Sequence, residues 1–491
     1  MNADQLTALL QRLDGLVQAD DPAQARSALL LCAQGLAHFP DHPILIALAG
    51  ISNKRLGRFA EAERLLALAL EVTPKNLNAA FALGELYEAL RRYSEAAGAY
   101  KRVLKIRPSH VAAKNNLGNC FFELNQFDQA EESYLEVLKQ TGDPHLHRNL
   151  GILALTRGDL EAAENHLRIL SSKVPEDPDA KSQLAEVLLK AENFEEGWRF
   201  YESRLSNNRG DRSNWFPHTP VWAGQDGERI VILSEEGPGD ILMFSMVIPE
   251  VMSRFSEVTL LVEERFHELF KRSFGPQLVL ASQLDVSDPR HFDFKAPIST
   301  CMGLLRRSVR EFEATSRGYL REDKAMADGF RRYLIGVAGE RTIVGINWRS
   351  FSQENGAKRT LPIEQLSAAL PPDRVLLVSL QYGEVQGEIE LVRSLGREVI
   401  DFLDIDKNQD LDRLLALSIA CDHVISIDNT TAHLVGASGA PQSLLLPHSS
   451  NWRWGLARTR SLLYENTQLI RQDVHGDWSG PLRTVSAMHS G

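Results

Sequence analysis

The amino-acid sequence predicts a multidomain chain in which an all-α repeat solenoid precedes an α/β module built of two halves. Three observations predict it. Leu-Gly pairs followed by a small residue recur every 33 or 34 positions up to about residue 205. The stretch SNNRGDRSNWFPHTPVWAGQDGE at 206–228 is polar, bears Gly and Pro, and follows no period, which marks a linker. From Arg229 onward short apolar runs alternate with stretches of helical period, the pattern of parallel α/β sheets. At 491 residues the chain has material for about three domains. The expected divisions are 1–205, a linker at 206–228, and the two α/β halves at 229–325 and 326–491.

The repeat register is set by Leu83-Gly84, Leu117-Gly118 and Leu150-Gly151, with Ala96, Ala130 and Ala163 each twelve positions after its Gly. It extends back to Gly50 with Ala62 and forward to Ala185 with Gly197, and Pro40, Pro74, Pro108 and Pro175 close successive units, giving five or six in all. Two antiparallel helices that cross closely require small residues at the crossing, and Tyr87, Tyr93 and Tyr100 are expected to fill the space around it. In spacing and residue type the pattern resembles the tetratricopeptide repeat. Such a solenoid presents a concave groove to a peptide or protein. Asn116, Asn149 and Gln183 precede the Leu-Gly position (Leu-Ala in the last unit) in three successive units. Their amides can both donate to and accept from an extended backbone, so they are the candidate acceptor-binding residues. A series of this kind resembles the asparagine ladder lining the repeat groove of protein O-GlcNAc transferases, from which Leu48 and Ala82 depart. Asn is also simply frequent in the first helix of such repeats.

In the second half the strands read IVILS, VTLLV, LVLA, TIVGINW, RVLLVSL, VIDFL, HVISI and SLLLP. The charged, helical stretch from about Thr315 to Glu340 is expected to join two Rossmann-like halves, each with its own sheet. Ligands of open parallel sheets bind beyond the carboxyl ends of strands, so the loops there hold the candidate site. In SEEGPGDILMF, Gly237 and Gly239 allow close approach of backbone to a substrate, and Asp240 falls at a helix start, suited either to capping or to catalysis. In SIDNTTAHLVGASGAP, Asp428 ends a strand, Asn429, Thr430 and Thr431 open a helix fit for a diphosphate, and His433 sits one turn in; taken alone, the same residues also fit simple capping with His433 a hydrogen-bonded structural histidine. Trp348, Lys358 and Arg359 follow TIVGIN, and Gln381 follows VLLVSL, so cations able to neutralise phosphate oxygens gather at neighbouring strand ends.

The series GPGDILMFSMVIP, VGINW, KRTLP, VSLQYGE, ISIDNTTAHLVGASGAP and LLLPHSSNWRW is similar, in order and spacing, to bacterial proteins in which tetratricopeptide repeats precede a heptosyltransferase-like glycosyltransferase module. The resemblance covers nearly the whole chain. It implies GT-B architecture, with acceptor chemistry on the first Rossmann-like half and nucleotide-sugar binding on the second, and some repeat-bearing members modify flagellin. It further implies that Asp240 is the catalytic base of a metal-independent, inverting transfer, and that Asp428 through His433 form the nucleotide-binding turn. Gly237, Gly239, Trp348, Lys358, Arg359 and Gln381 complete the expected donor site. Asn429 stands where the family usually has Thr, and Pro238 stiffens the Gly-rich loop. The expected function is transfer of a sugar from a nucleotide-sugar donor, with no bound cofactor, to Ser or Thr of a protein acceptor held by the repeats. A non-catalytic interaction scaffold with a degenerate module, and a glycan or lipopolysaccharide transferase, remain open as alternatives.

Composition narrows the partners. Lys and Arg number 54 against 65 Asp and Glu, a formal charge of −11, which argues against nucleic acid. Cys32, Cys120, Cys301 and Cys421 are widely spaced and read as core thiols. MNADQLTALLQRLDG has neither the basic nor the apolar region of a signal peptide, and no apolar run is long enough for a membrane span, so a cytoplasmic location is expected. Asp404, Asp406, Asp410 and Asp412 mimic a metal-binding Asp-x-Asp, but Asp410 is better read as a helix cap and no metal is expected. Trp452 and Trp454 in NWRWG could stack on a base, but aromatic residues near a strand end are more often packing and they are left out of the candidate site.

Overall fold

The computed structural model describes residues 1–18, 21–206, 216, 218–283, 292–313, 317–352 and 356–490. The linker residues 207–215 and 217 lie outside the described residues. The chain folds as two compact units, Met1–Leu153 and Ala154–Gly491. The break between them therefore falls inside a repeat helix and not at residue 205, where the sequence pattern fades.

The first unit is a run of antiparallel helical pairs: α1 (Ala3–Gln18) and α2 (Pro22–His38), α3 (Pro43–Arg55) and α4 (Phe59–Val72), α5 (Leu77–Ala89) and α6 (Tyr93–Ile106), α7 (Val111–Glu123) and α8 (Phe127–Thr141), then the start of α9 (Leu146–Arg157). Asp21, Asn76, His42 and His110 accept from backbone amides of the helices they precede, so the turns supply the caps. The small residues sit where two helices touch. A Cβ on Gly84 would lie 2.6 Å from the Tyr100 ring, and one on Gly118 2.7 Å from the Tyr134 ring. Ala62, Ala96 and Ala130 are fully buried opposite. Tyr87 and Tyr93, expected to fill the crossings beside Tyr100, are only half-buried.

The second unit opens with the rest of α9, continues the helical pairs through α10 (Leu160–Lys173), α11 (Pro178–Lys190) and α12 (Phe194–Tyr201), and goes on to two parallel sheets. The first sheet has the order β3-β2-β1-β4, with β1 (Gly227–Leu233), β2 (Phe255–Leu261), β3 (Leu278–Ala281) and β4 (Phe294–Pro297). Its helices are α13 (Pro238–Phe244), α14 (Ile248–Met252), α15 (His267–Phe274), α16 (Ile298–Leu305) and α17 (Val309–Glu313). The order of the second sheet is β10-β9-β8-β5-β6-β7. Its elements run α18 (Lys324–Ala338), β5 (Thr342–Ile346), α19 (Gly356–Arg359), α20 (Ile363–Ala369), β6 (Val375–Ser379), α21 (Gln386–Ser394), β7 (Val399–Ile400), α22 (Leu411–Ile419), β8 (His423–Ile427), α23 (Thr430–Ser438), β9 (Gln442–Leu446), β10 (Thr467–Arg471) and α24 (Ser479–Met488). Ile230 to Leu233 and Leu444 to Leu446 are buried throughout, as strands covered on both faces require.

The expectation of two separate parallel sheets holds. Two strands lie outside the expected set: β4, whose FKAP carries a buried Lys295, and β10. The first half begins earlier than residue 229. Trp222 is buried and Val221 already pairs with Lys295 beside the first sheet, so the end of the expected linker is part of the fold. The stretch expected as one helix from Thr315 to Glu340 is not helical at 317–323, and its helix starts at Lys324, capped by Asp323. That non-helical piece ties the halves together. Tyr319 and Leu320 donate their amides to Ala437 O on α23, and the Tyr319 hydroxyl donates to Leu242 O on α13.

All four cysteines are buried and unpaired. Asp410 caps α22 through Arg413 N, while Asp404 pairs with Arg413 and Asp412 with Arg272. Among the described residues no helix is long and apolar enough to cross a membrane.

Candidate active site

Each sheet reverses its winding once, between β1 and β4 in the first and between β5 and β8 in the second. Loops at such switch points leave a crevice at the carboxyl ends of the strands. The helices that start there, α13 after β1 and α23 after β8, touch each other near their first turns. A Cβ on Gly239 would lie 3.0 Å from His433 Cδ2 and 3.5 Å from Thr430 Cα. Gly239 is thus needed for the meeting of the two helices, while Gly237 is the residue at which the loop turns into α13, followed by Pro238 in its first turn.

Asp240 makes no capping bond. Its Oδ1 lies 2.6 Å from Nη2 of Arg453, with 22% of the Asp240 side chain and 12% of the Arg453 side chain exposed. Neither Asp240 Oδ1 nor Arg453 Nε has an aligned hydrogen-bond partner, so the contact is an ion pair with unused hydrogen-bonding capacity on both sides. Burial pushes the Asp240 carboxyl above its ordinary value. Arg453 and Arg359 pull it down, and Glu236 and Asp428 push it further up. Asp428 is buried beside it in charge, its Oδ2 3.3 Å from Arg359 Nη1. Burial would raise the Asp428 carboxyl, but Arg359, Arg453 and His433 outweigh that and hold it below the ordinary carboxylate range.

The structure separates the expected donor-site residues into two groups. Arg359 is half-buried, Thr430 stands half-buried in the first turn of α23, and Lys358 is exposed on α19, so these three retain accessible surface. Trp348, Gln381, Thr431 and His433 do not. Trp348 is buried in the core and donates from Nε1 to Glu388 at 2.6 Å. Gln381 spends its side chain on the backbone, accepting from Trp348 N and Arg349 N and donating to Arg349 O and Tyr382 O. Thr431 is fully buried and accepts from Asn347 Nδ2 at 3.1 Å. The His433 ring is stacked on Trp454 at 5.0 Å and bonded through Nδ1 to the Tyr464 hydroxyl at 2.8 Å. Burial, aided by Arg453, pushes its pKa down to about 3, so it is a neutral packing residue whose Nε2 lacks a partner among the described residues. Asn429 caps α23 through Ala432 N and donates to Asn347, joining the strand ends of β8 and β5.

Several groups at the site were not anticipated. Arg453 comes from the NWRWG loop beyond β9, between two tryptophans that do pack: Trp452 against Trp198 and Trp454 against His433. Behind Asp240, the residues following α12 brace the loop after β1. Arg204 donates from Nε to Glu236 at 2.7 Å and from Nη2 to Glu235 at 2.8 Å, and it lies 4.1 Å over the Tyr201 ring. Glu235 in turn accepts from Ser299 at the start of α16, and burial, partly offset by Arg204 and Ser299, lifts its pKa to about 7. Beyond β6 and β7, a cavity of about 710 Å³ opens between Gln381–Gly387 and Asp401–Lys407.

In the first unit the candidate groove amides bond to one another. Asn149 Nδ2 donates to Asn115 Oδ1 at 3.3 Å, Asn115 Nδ2 to Asn116 Oδ1 at 3.4 Å, and Asn116 Nδ2 to the Tyr100 hydroxyl at 3.1 Å, which donates to Glu88. Asn116 is therefore committed internally, and Asn149 keeps its carbonyl. Gln183 belongs to α11 of the second unit, where its Oε1 is buried without a partner among the described residues.

Family models described as tetratricopeptide repeat match residues 48–110 and 148–203, and a further one matches 87–150. Residues 48–203 are tetratricopeptide repeats. Over 332 residues the chain is 31% identical to Protein FlbA of Caulobacter vibrioides (strain ATCC 19089 / CIP 103742 / CB 15), an alignment that takes in 63% of this chain and 55% of that protein. The chain thus spans about half the length of this relative. Among solved structures, a tetratricopeptide repeat protein from Parabacteroides merdae ATCC 43184 matches at 21% identity and a TM-score of 0.35, covering 40% of this chain and 80% of that one. MamA from Desulfovibrio magneticus RS-1 matches at 17% identity and a TM-score of 0.32, covering 34% and 97%.

Proposed function

We propose that this protein is a glycosyltransferase of GT-B type that moves a sugar from a nucleotide-sugar donor to a Ser or Thr hydroxyl of a protein acceptor held by its tetratricopeptide repeats. The observation that carries the reading is the meeting of α13 and α23 at the two switch points, with Asp240 on one side and Arg453 and Arg359 on the other. The order and spacing of the sequence motifs support it as well.

In this reading the donor diphosphate lies against Arg359, Arg453 and the Thr430 turn, and the nucleoside extends toward the cavity beyond β6 and β7. The acceptor oxygen attacks the anomeric carbon as the bond from that carbon to the phosphate oxygen breaks, inverting the configuration. Asp240, made more basic than an ordinary carboxylate by burial, takes the hydroxyl proton. The guanidinium groups stabilise the negative charge that develops on the departing nucleoside diphosphate. Arg204, through Glu235 and Glu236, holds the loop that presents Asp240.

Native mass spectrometry with a panel of nucleoside-diphosphate sugars identifies the donor, and mass spectrometry of the co-purified partner reads transfer. Asp240→Asn should lower turnover by about 10²–10⁴ while donor binding survives. Arg359→Ala should weaken donor binding itself. Near wild-type turnover by Asp240→Asn overturns its role as base. A partner that stays unmodified in cells making the donor leaves a scaffold, a reading favoured by the closed Asp240–Arg453 ion pair.

A further inference from the structure

The first unit contains a cavity of about 380 Å³ bounded by α5, α7, α8, α9 and the start of α6, at the low end of the range for ligand sites. Two carboxylates face it, Glu88 from α5 and Glu123 from α7. Several other carboxylates of this part of the solenoid are matched by cations: Glu85 on α5 by Lys54, Glu63 on α4 and Glu95 on α6 by Arg92, and Glu136 on α8 by Lys114. Glu88 and Glu123 are not. Glu88 accepts the Tyr100 hydroxyl on Oε2, at the end of the amide chain that starts at Asn149, and its other oxygen has no partner among the described residues. Glu123 has neither an ion pair nor a hydrogen bond among them, and no Lys or Arg lines the cavity. Lys54, whose field reaches Glu88, is held by Glu85.

The walls are aromatic, Tyr93, Phe122 and Tyr134, and suit a flat cation better than a methyl group. The two amides at the rim have complementary free ends. Asn119 accepts the Tyr134 hydroxyl on Oδ1 and so offers its N–H groups, whereas Asn149 spends Nδ2 on Asn115 and offers its carbonyl. An extended backbone needs both kinds of group.

The geometry points to a binding pocket for an arginine side chain carried by an extended segment of the partner protein: guanidinium between Glu88 and Glu123 and against Phe122, backbone against Asn119 and Asn149. A planar guanidinium can bond a carboxylate in two places and stack on a ring at once, which an ammonium cannot. This deepens the reading of the repeats as the acceptor-holding part, and because it is tested by binding alone, a failure of the transfer chemistry would leave it standing.

The experiment uses the full-length chain with isotope-labelled Ile methyl groups, observing Ile152 in the cavity wall at physiological salt. N-acetyl-arginine-N-methylamide is titrated in, with the lysine, glutamine and glutamate analogues as comparisons. The expected result is a saturable shift of Ile152 with the arginine probe, a weaker one with lysine, and none with glutamate. Glu88→Gln with Glu123→Gln should weaken the arginine probe at least tenfold while the remaining Ile methyl spectrum stays as in the wild type. Phe122→Leu should reduce the preference for arginine over lysine. An Ile152 methyl that ignores the arginine probe, binding undiminished in the double Gln variant, or glutamate binding as well as arginine overturns the proposal.

Discussion

Replacing Asp240 by Asn and Arg453 by Gln, singly and together, isolates the ion pair at the mouth of the crevice without any assumption about activity. The charges are 2.6 Å apart and their side chains are 22% and 12% exposed. That places the pair between exposed bridges, worth about 0–1 kcal/mol, and fully buried ones, whose disruption costs about 3–5 kcal/mol, so a coupling of about 1–3 kcal/mol is expected. All seven tryptophans lie beyond residue 197, so tryptophan fluorescence during urea unfolding follows the second unit alone. A pH series adds a sign. Burial lifts the folded carboxyl above its ordinary 3.8, so the folded protein keeps the Asp240 proton to higher pH than the unfolded chain. The contribution of Asp240 relative to Asn is greatest below 3.8 and is lost as the pH rises through the folded value. Without Arg453 that loss grows and extends to higher pH. A coupling under about 0.5 kcal/mol, within the scatter expected of independent sites, refutes the pairing, and a loss that shrinks in the Arg453→Gln background refutes the electrostatic argument.

Gly436→Ala should destabilise the second unit by about 1–3 kcal/mol, because its Cβ would lie 2.5 Å from the Tyr464 ring and 2.8 Å from Gln442 Nε2; an unchanged urea midpoint would contradict that crowding. Trp198→Phe deletes a 2.7 Å hydrogen bond to the Arg306 carbonyl in a buried setting, and the same fluorescence assay should register a loss of about 1–3 kcal/mol. His433 resists protonation in the fold, so its stabilisation is complete above 6.5 and is lost as the pH falls toward about 3. The acid side of the stability profile should therefore flatten in His433→Gln.

The repeats were legible because geometry imposes their signal: Gly84 must be small where Tyr100 crosses it, and the same demand returns one repeat later at Gly118 and Tyr134. Fully buried strands such as β6 and β9 show as apolar runs for a comparable reason. The edge strands β4 and β10 do not, since an edge position tolerates Lys295 and Gln468. At the site, sequence gives the strand end on which a residue sits but not the way its side chain turns. Trp348, Gln381 and Thr431 stand at the right ends and turn into the protein. Arg453 was hidden for the opposite reason, coming from a loop with no strand-end signature between two packing tryptophans. The break at residue 153 leaves no trace because the helical period runs through it unchanged.

The way α12 is built into the second unit sets a rule for making hybrids. Trp198 is anchored to Arg306, and Tyr201 and Arg204 reach the loop that carries Asp240. A chimera joined at residue 205 would replace those three side chains with whatever the donor array supplies. One joined at the turn ahead of α9 would exchange α1 to α8, with the pocket carboxylates Glu88 and Glu123, keep Asn149 and Ile152 on α9, and leave the last repeat helices with the sheets they brace. Retargeting by repeat exchange should thus succeed at the earlier seam and fail at the later one, even though the later seam is the one the linker-like sequence advertises.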